Sequence, residues 1–372
     1  MSTLETNNIS KYNGNNVSMG DPLKLKSYTT TQRNALTSAT GDTIYNSTDS
    51  KVQVYNGSSW DDLGGPAVVK VDYVVIGGGG SSGSCSGHAQ GGGGGAGGYL
   101  SHYASENSGG GDTNSADFYV PVSTNLTVTI GAGAPANAAG RFPGFIGNGT
   151  HFANITPEGG GAGGCWGGMI GNKNYYLYNA TNGASGGGSG PIDYDTSAKT
   201  SGTLYQGYAG GAGTGNTAIS GGSGTATQRS AGGGGGAGGV GEDANTDGTG
   251  YGGDGGVGVS SSITGSAVER AGGGAGGGGT NAGTATGGGG NGATGGANGN
   301  AGTANTGGGG GGAGNNAGSG DRSGGAGGSG VVILRYPNTF TISQSGMTLS
   351  TATDGSDKIT TITAGTGTVS FA

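Results

Sequence analysis

The sequence predicts an irregular, mainly β fold: a bundle of glycine-rich polyproline-II helices flanked by small β modules. Glycine is concentrated, with 91 of the 101 glycines in this 372-residue chain falling between residues 77 and 330. That field is bounded by apolar runs, Val74-Val75-Ile76 before Gly77 and Val331-Val332-Ile333-Leu334 after Gly330. Within it the glycines form discrete runs of similar length: Gly91 to Gly98, Gly159 to Gly164, Gly210 to Gly215, Gly232 to Gly239, Gly252 to Gly258, Gly272 to Gly279, Gly307 to Gly314 and Gly324 to Gly330.

Glycine at this density does not build helices, where each one costs about 1 kcal/mol against alanine, nor ordinary strands, which need side chains to pack. Collagen requires glycine at every third position and abundant proline, whereas this chain has eight prolines and an irregular period. Two backbones remain: a flexible coil, the usual state of glycine and serine tracts, and the polyproline-II helix, with three residues per turn. Polyproline-II helices made of glycine can pack closely and bond through their own N–H and C=O groups. Runs of six to eight residues would span roughly 19–25 Å. Polar connectors between the runs favour rods joined by loops over a homogeneous linker.

Only 30% of residues are hydrophobic, too few for several conventional cores, so the side-chain-packed parts are expected in the flanks. Net charge is −7, and the glycine field carries six Lys or Arg against twelve Asp or Glu. With no basic stripe to neutralise phosphates, nucleic acid is not an expected partner. The first residues are polar and lack a signal-peptide pattern, and no apolar run is long enough to cross a bilayer. The expectation is a soluble protein made in a cytoplasm. Two cysteines, Cys85 and Cys165, do not form a disulfide framework, and whether they pair stays open.

In chain order, residues 1–27 are polar and asparagine-rich, read as an extended N-terminal arm or attachment segment. Residues 28–67 read as a small β module. Thr30 to Leu36 predicts a short helical turn ended by Gly41, and Thr43 to Asn46 with Lys51 to Tyr55 predicts a hairpin. Asn56-Gly57 then turns the chain toward Trp60. The stretches Thr40-Gly41-Asp42-Thr43-Ile44-Tyr45-Asn46 and Val54-Tyr55-Asn56-Gly57-Ser58-Ser59-Trp60-Asp61-Asp62-Leu63 resemble a module that recurs in bacteriophage tail fibres and similar virion appendages. That resemblance implies a stalk or collar, often a homotrimer.

Residues 68–337 form the glycine-rich bundle with its inserted loops. The runs Val68 to Ile76 and Val331 to Tyr336 read as buried strands that pair antiparallel and clasp one end of the bundle. Their framing, Tyr73-Val74-Val75-Ile76 into Gly77 to Gly80 and Gly330 into Val331-Val332-Ile333-Leu334-Arg335-Tyr336, resembles glycine-rich phage fibre proteins. Some adhesins of that kind are polyglycine-II bundles with variable loops. Tyr119 to Val122 and Leu126 to Ile130 are expected to pair as an inserted hairpin. Residues 338–372, alternating again, are expected to form a separate C-terminal β unit, whose closing run also resembles the ends of such fibre proteins.

Catalytic chemistry is sparse. Cys85, His88, His102, His151 and Cys165 are ligand types without a zinc-finger spacing, and the chain is read as holding no metal or cofactor. Asp193 with Asp195, or Glu242 with Asp243, are read as solvated loop charges rather than a glycosidase pair. The expectation is not an enzyme. Long aromatic connections supply the candidate site: Phe142, Phe145, Phe152, Trp166, Tyr175, Tyr176 and Tyr178, expected near one end or edge of the bundle. Exposed aromatic rings give rigid contact area.

The resemblance implies a tail-fibre or adhesin protein in the virion, bound to other tail or fibre proteins and attaching to a host-cell surface receptor, either a glycan or an outer-membrane protein. Two alternatives stand beside it: a structural fibre or capsid decoration protein without a receptor, and an ice-binding protein, which would need a flat face of repeated small residues.

Overall fold

A computed structural model describes residues 24–64, 67–86, 90–112, 117–165, 179–191, 199–214, 229–245, 249–315 and 320–372. The chain divides into two units, Met1–Ala67 and Val68–Ala372. It is mainly β, and among the described residues its one α-helix is a five-residue turn.

In the first unit, β1 (Ser27–Tyr28) precedes α1 (Thr30–Asn34), and β2 (Thr43–Asn46), β3 (Lys51–Tyr55) and β4 (Trp60–Asp62) follow. The sheet runs in the order β1-β2-β3-β4, with β1 parallel to β2 and the rest antiparallel. Thr29 and Gln32 form a capping box that starts α1. Asn46, fully buried, donates to Asp49 Oδ2 at 2.7 Å and to Gln53 Oε1 at 3.0 Å, while Arg33 Nη1 donates to the same Gln53 oxygen at 2.8 Å. The expected helical turn and hairpin are therefore present, held largely by a polar network. Among the described residues of this unit, Ile44 is the only buried hydrophobic residue.

The second unit is organised around a seven-stranded sheet. Its strands are β6 (Asp72–Ile76), β7 (Tyr99–His102), β9 (Leu126–Thr129), β10 (His151–Phe152), β13 (Val331–Pro337), β14 (Ile342–Asp354) and β15 (Asp357–Phe371). Short pairs lie beside it: β5 (Val68–Lys70) with β8 (Tyr119–Pro121), and β11 (Val259–Ser261) with β12 (Val268–Arg270).

The two borders of the glycine field pair as adjacent antiparallel strands, with Val331 opposite Ile76 and Leu334 opposite Tyr73. Both sheet faces are covered. Tyr73, Val75, Val332, Leu334 and Tyr336 enter one core with Phe152, Ile362 and Phe371. Val74, Ile76, Val331 and Ile333 enter a second core with Tyr99, Ile263 and Ile359. Burial on both faces is why these strands are continuous apolar runs rather than alternating ones.

Two expectations are corrected. Tyr119 to Val122 and Leu126 to Ile130 do not pair with each other: β8 pairs with β5, and β9 lies between β10 and β15. Between them Ser123 adopts φ 63° and its N–H donates to the Phe371 carbonyl at 2.8 Å, so the turn is tied to the C-terminal strand instead of closing a hairpin. Residues 338–372 are not a separate unit either. β15 pairs along its length with β14 and on its other edge with β13 and then β9, which makes the tail part of the central sheet.

The glycine runs carry no strand or helix over most of their length, yet their inner stretches, such as residues 91–98 and 232–237, are buried and hydrogen-bonded to other segments. Along residues 91–98 the N–H partners recur every third residue. Gly91, Gly94 and Gly97 donate to the carbonyls of Ala313, Gly310 and Gly307. Gly92, Gly95 and Gly98 donate to Gly164, Gly161 and Glu158, and Gly93 and Ala96 donate to Gly232 and Gly235. Carbonyls of the same run accept from Gly77, Gly80 and Gly83, from Ser185 and Gly188, and from Gly274 and Gly277. Six separate segments thus surround this run. Residues 232–237 repeat the arrangement, bonded to segments within 186–189, 239–242, 271–274, 93–96, 208–211 and 254–257 or their immediate neighbours.

Close approach makes glycine obligatory at such positions. A Cβ at Gly93 would overlap the Gly274 carbonyl oxygen, and one at Gly277 would overlap that of Ala313.

Candidate functional site

Hydrogen-bond register fixes the direction of each run. Residues 77–83 leave the sheet and residues 91–98 return antiparallel to them, with Gly77 bonded to Gly98 and Gly83 to Gly92. Residues 158–164 leave again, and residues 142–148 return antiparallel to them, with Gly144 bonded to Gly163 and Gly147 to Gly160. The same reading makes residues 207–213, 271–278 and 307–313 outbound and residues 231–238, 252–258 and 323–330 inbound. Connections at the sheet end include β7, β8, β9, β10, β11 and β12. At the opposite end lie the described residues 85–86, 135–141, 165, 190–191, 214, 229–230 and 320–322, where runs break off or resume.

The candidate aromatics separate along this axis. Phe142 sits at the end opposite the sheet, where its carbonyl accepts from the Ser84 N–H at 3.0 Å. Phe145 lies three residues further along the same run, its carbonyl accepting from Ser81 at 3.0 Å. Because their backbone groups meet the same neighbouring run at a three-residue interval, both occupy one row. They are 49% and 52% exposed, and the adjoining Ile146 is exposed as well. The remaining four of the chain's six phenylalanines, Phe118, Phe152, Phe340 and Phe371, are buried in or packed against the sheet core.

Phe152 therefore departs from expectation. It is fully buried in β10, with its ring 5.5 Å from Phe118 and 6.5 Å from Tyr73, and offers no surface to a ligand. Trp166, Tyr175, Tyr176 and Tyr178 lie outside the described residues. The described residues that flank them, Cys165 and Thr181, stand beside Gly190 and Ala162 on adjacent runs. Sequence reasoning missed Ile146, although its position next to Phe145 was visible, and Tyr251, exposed where residues 252–258 begin.

The ionisable candidates are scattered. Cys85 and Cys165 are free thiols at the end opposite the sheet, both buried, and burial pushes each thiol up to about 12. His102 and His151 are in the central sheet, and His88 lies outside the described residues. Among the described residues no group of three or more His, Cys, Asp or Glu gathers to hold a metal ion.

His102 packs between two carboxylates, with Nδ1 3.2 Å from Asp72 and Nε2 3.3 Å from Asp117, and Lys70 Nζ lies 2.8 Å from the same Asp117 oxygen. The Lys70 hydrogen bond holds Asp117 below the usual carboxylate range. This network joins β5, β6 and β7 and serves the fold. Asp243 pairs with Lys199 at 2.8 Å and accepts from the Ala212 N–H at 2.8 Å, which ties a connection to a glycine run. Asp193 and Asp195 lie outside the described residues.

A model of a glycine-rich domain family matches residues 53–337, which is more than half of the chain. No curated protein sequence matches the chain.

Proposed function

The chain belongs to the glycine-rich domain family, and from that premise we propose that residues 77–330 form a bundle of polyproline-II helices serving as the scaffold of a virion adhesin or tail-fibre protein. The observation that carries the scaffold reading is the three-residue recurrence of hydrogen-bond partners along residues 91–98, the period of a polyproline-II helix. In this reading the helices of residues 91–98 and 232–237 each give their three rows of N–H and three rows of C=O groups to six neighbours, so a backbone core replaces a side-chain core.

The scaffold explains the adhesin reading. A core made of backbone leaves the connecting segments free of packing duties, and the described connection of residues 135–141 lies at the end opposite the sheet. Binding residues are commonly carried by such segments on a rigid frame. The proposed receptor surface is that end together with the exposed row of Phe142 and Phe145. Trp166, Tyr175, Tyr176 and Tyr178 remain part of the proposal as residues of one connection. The receptor is a host-surface molecule, a glycan or an outer-membrane protein, and the first unit joins the protein to the rest of the virion. The protein works without catalysis.

The test is attachment of the purified full chain to host cells, compared with a Phe142→Ala/Phe145→Ala variant. The reading expects weaker attachment, by about tenfold or more if the pair includes a binding hot spot, with an unchanged circular dichroism spectrum. Unchanged attachment would remove these rings from the receptor surface. If the wild-type chain binds no host cell, the structural fibre or decoration role replaces the adhesin.

A further inference from the structure

The central sheet ends in a strand whose outer edge is unguarded. Among the described residues β14 pairs only with β15, and no backbone N–H of residues 343–353 donates to a main-chain carbonyl beyond that ladder. Its pairing shifts register around Gly346 and again between Thr348 and Leu349, but from Leu349 to Asp354 it is regular, running opposite Ile362 to Asp357. Residues 350–354 are all exposed.

A free strand edge is a template for another chain, and soluble proteins usually blunt it with lysine, proline, bulges or a covering element. β14 has bulges in its first half only. Residues 342–353 contain no charged residue and no proline, and nothing among the described residues covers Leu349 to Thr353.

We infer that the segment Leu349–Thr353 pairs antiparallel with the same segment of a second copy of this chain, joining two central sheets across a two-fold axis centred on Thr351. A second copy is the occupant favoured by charge. The chain carries a net charge of −7, so self-association elsewhere tends to oppose like charges, whereas this edge is neutral. Antiparallel pairing centred on Thr351 also leaves the two Asp354 carboxylates six residues apart along the ribbon, about 20 Å at 3.4 Å per residue. Thr351 suits the centre. Its hydroxyl already lies 2.8 Å from that of Thr360, and Thr–Thr neighbours across strands stabilise a ladder. A two-fold contact of this kind is isologous, so Ser350 stands opposite the partner subunit's Ala352.

That register can be tested by charge exchange in the full chain, with mass measured by sedimentation equilibrium over a range of concentrations. The wild type should dimerise reversibly. Ser350→Lys/Ala352→Lys sets lysine opposite lysine at two places and should weaken the dimer about tenfold or more. Ser350→Lys/Ala352→Glu sets lysine opposite glutamate and should restore it to near the wild-type value. Both positions are exposed, so thermal melting of the variants in dilute solution should match the wild type, separating lost association from lost folding. A wild type that stays monomeric, assembles as a trimer, or associates equally well in both variants would overturn the inference.

Discussion

The central sheet and the glycine field are both buried, but opposite means bury them. In the sheet, Val332, Leu334, Tyr336, Ile362 and Phe371 fill space with side chains, and the identity of each residue sets what it touches. In the field, residues such as Gly93 and Gly277 have nothing to pack except the main chain, and carbonyl oxygens of neighbouring runs lie where a side chain would begin. A side-chain core tolerates a change of shape when volume is kept, whereas a backbone core admits a side chain only where a gap exists, as at Ala96, Ala275 and Ala313, and excludes one at positions such as Gly93 and Gly277. Stability is thereby placed in the runs, and the proposed binding role falls to the connections.

The sharpest way to break this contrast is to add a side chain to an inner run. Gly93→Val forces a branched side chain into the Gly274 carbonyl, and a loss of about 3 kcal/mol or more is expected, read as a lowered melting temperature or failure to fold. An unchanged melting temperature would mean the runs are not in contact. Ile333→Ala, in the strand at the field's exit, removes buried apolar volume and should cost about 2–5 kcal/mol by chemical denaturation. Because the strands at entry and exit hold each other, that loss should also speed amide exchange in the runs nearest the sheet.

Phe142→Ala and Phe145→Ala sharpen the comparison from the other side. Their rings are half exposed, and each change should shift stability by no more than about 0.5 kcal/mol. The smallest effect concerns the thiols. With Cys85 and Cys165 buried and their pKa raised to about 12, neither should react with an alkylating reagent at pH 8 in the native protein, and both should react after unfolding. Rapid native labelling would mean that the end opposite the sheet opens readily.

The sheet's central pairing was legible because Val74-Val75-Ile76 and Val331-Val332-Ile333-Leu334 are apolar runs at both ends of a field that lacks such residues. The helical turn and hairpin of the first unit were legible from turn residues and local alternation. Partners chosen at long range were not. Alternation in Tyr119 to Val122 and Leu126 to Ile130 marks strands but does not say that β8 takes β5 and β9 takes β15. Phe152 misled for a related reason: a two-residue strand has no periodicity, so a core ring looked like a loop ring.

In the glycine field the discrete runs could be read from the punctuation, but not their neighbours. Runs of nearly identical composition carry no code for pairing, and the order of the six segments around residues 91–98 follows from connector lengths and strand attachments spread over the whole chain. The candidate site was legible in part. Aromatic enrichment marked the segment that carries Phe142 and Phe145, and only their exposure distinguishes them from the four phenylalanines that serve the core.

The central claim, that the core of the field is hydrogen-bonded backbone, is tested most directly by native-state hydrogen exchange resolved to single amides in residues 91–98. Each of these eight residues donates its N–H to a carbonyl of another segment, so all eight should be protected, exchanging at the rate of global unfolding. Fast exchange throughout, as in a flexible glycine linker, or protection at alternate residues only, as on a strand edge, would contradict the account.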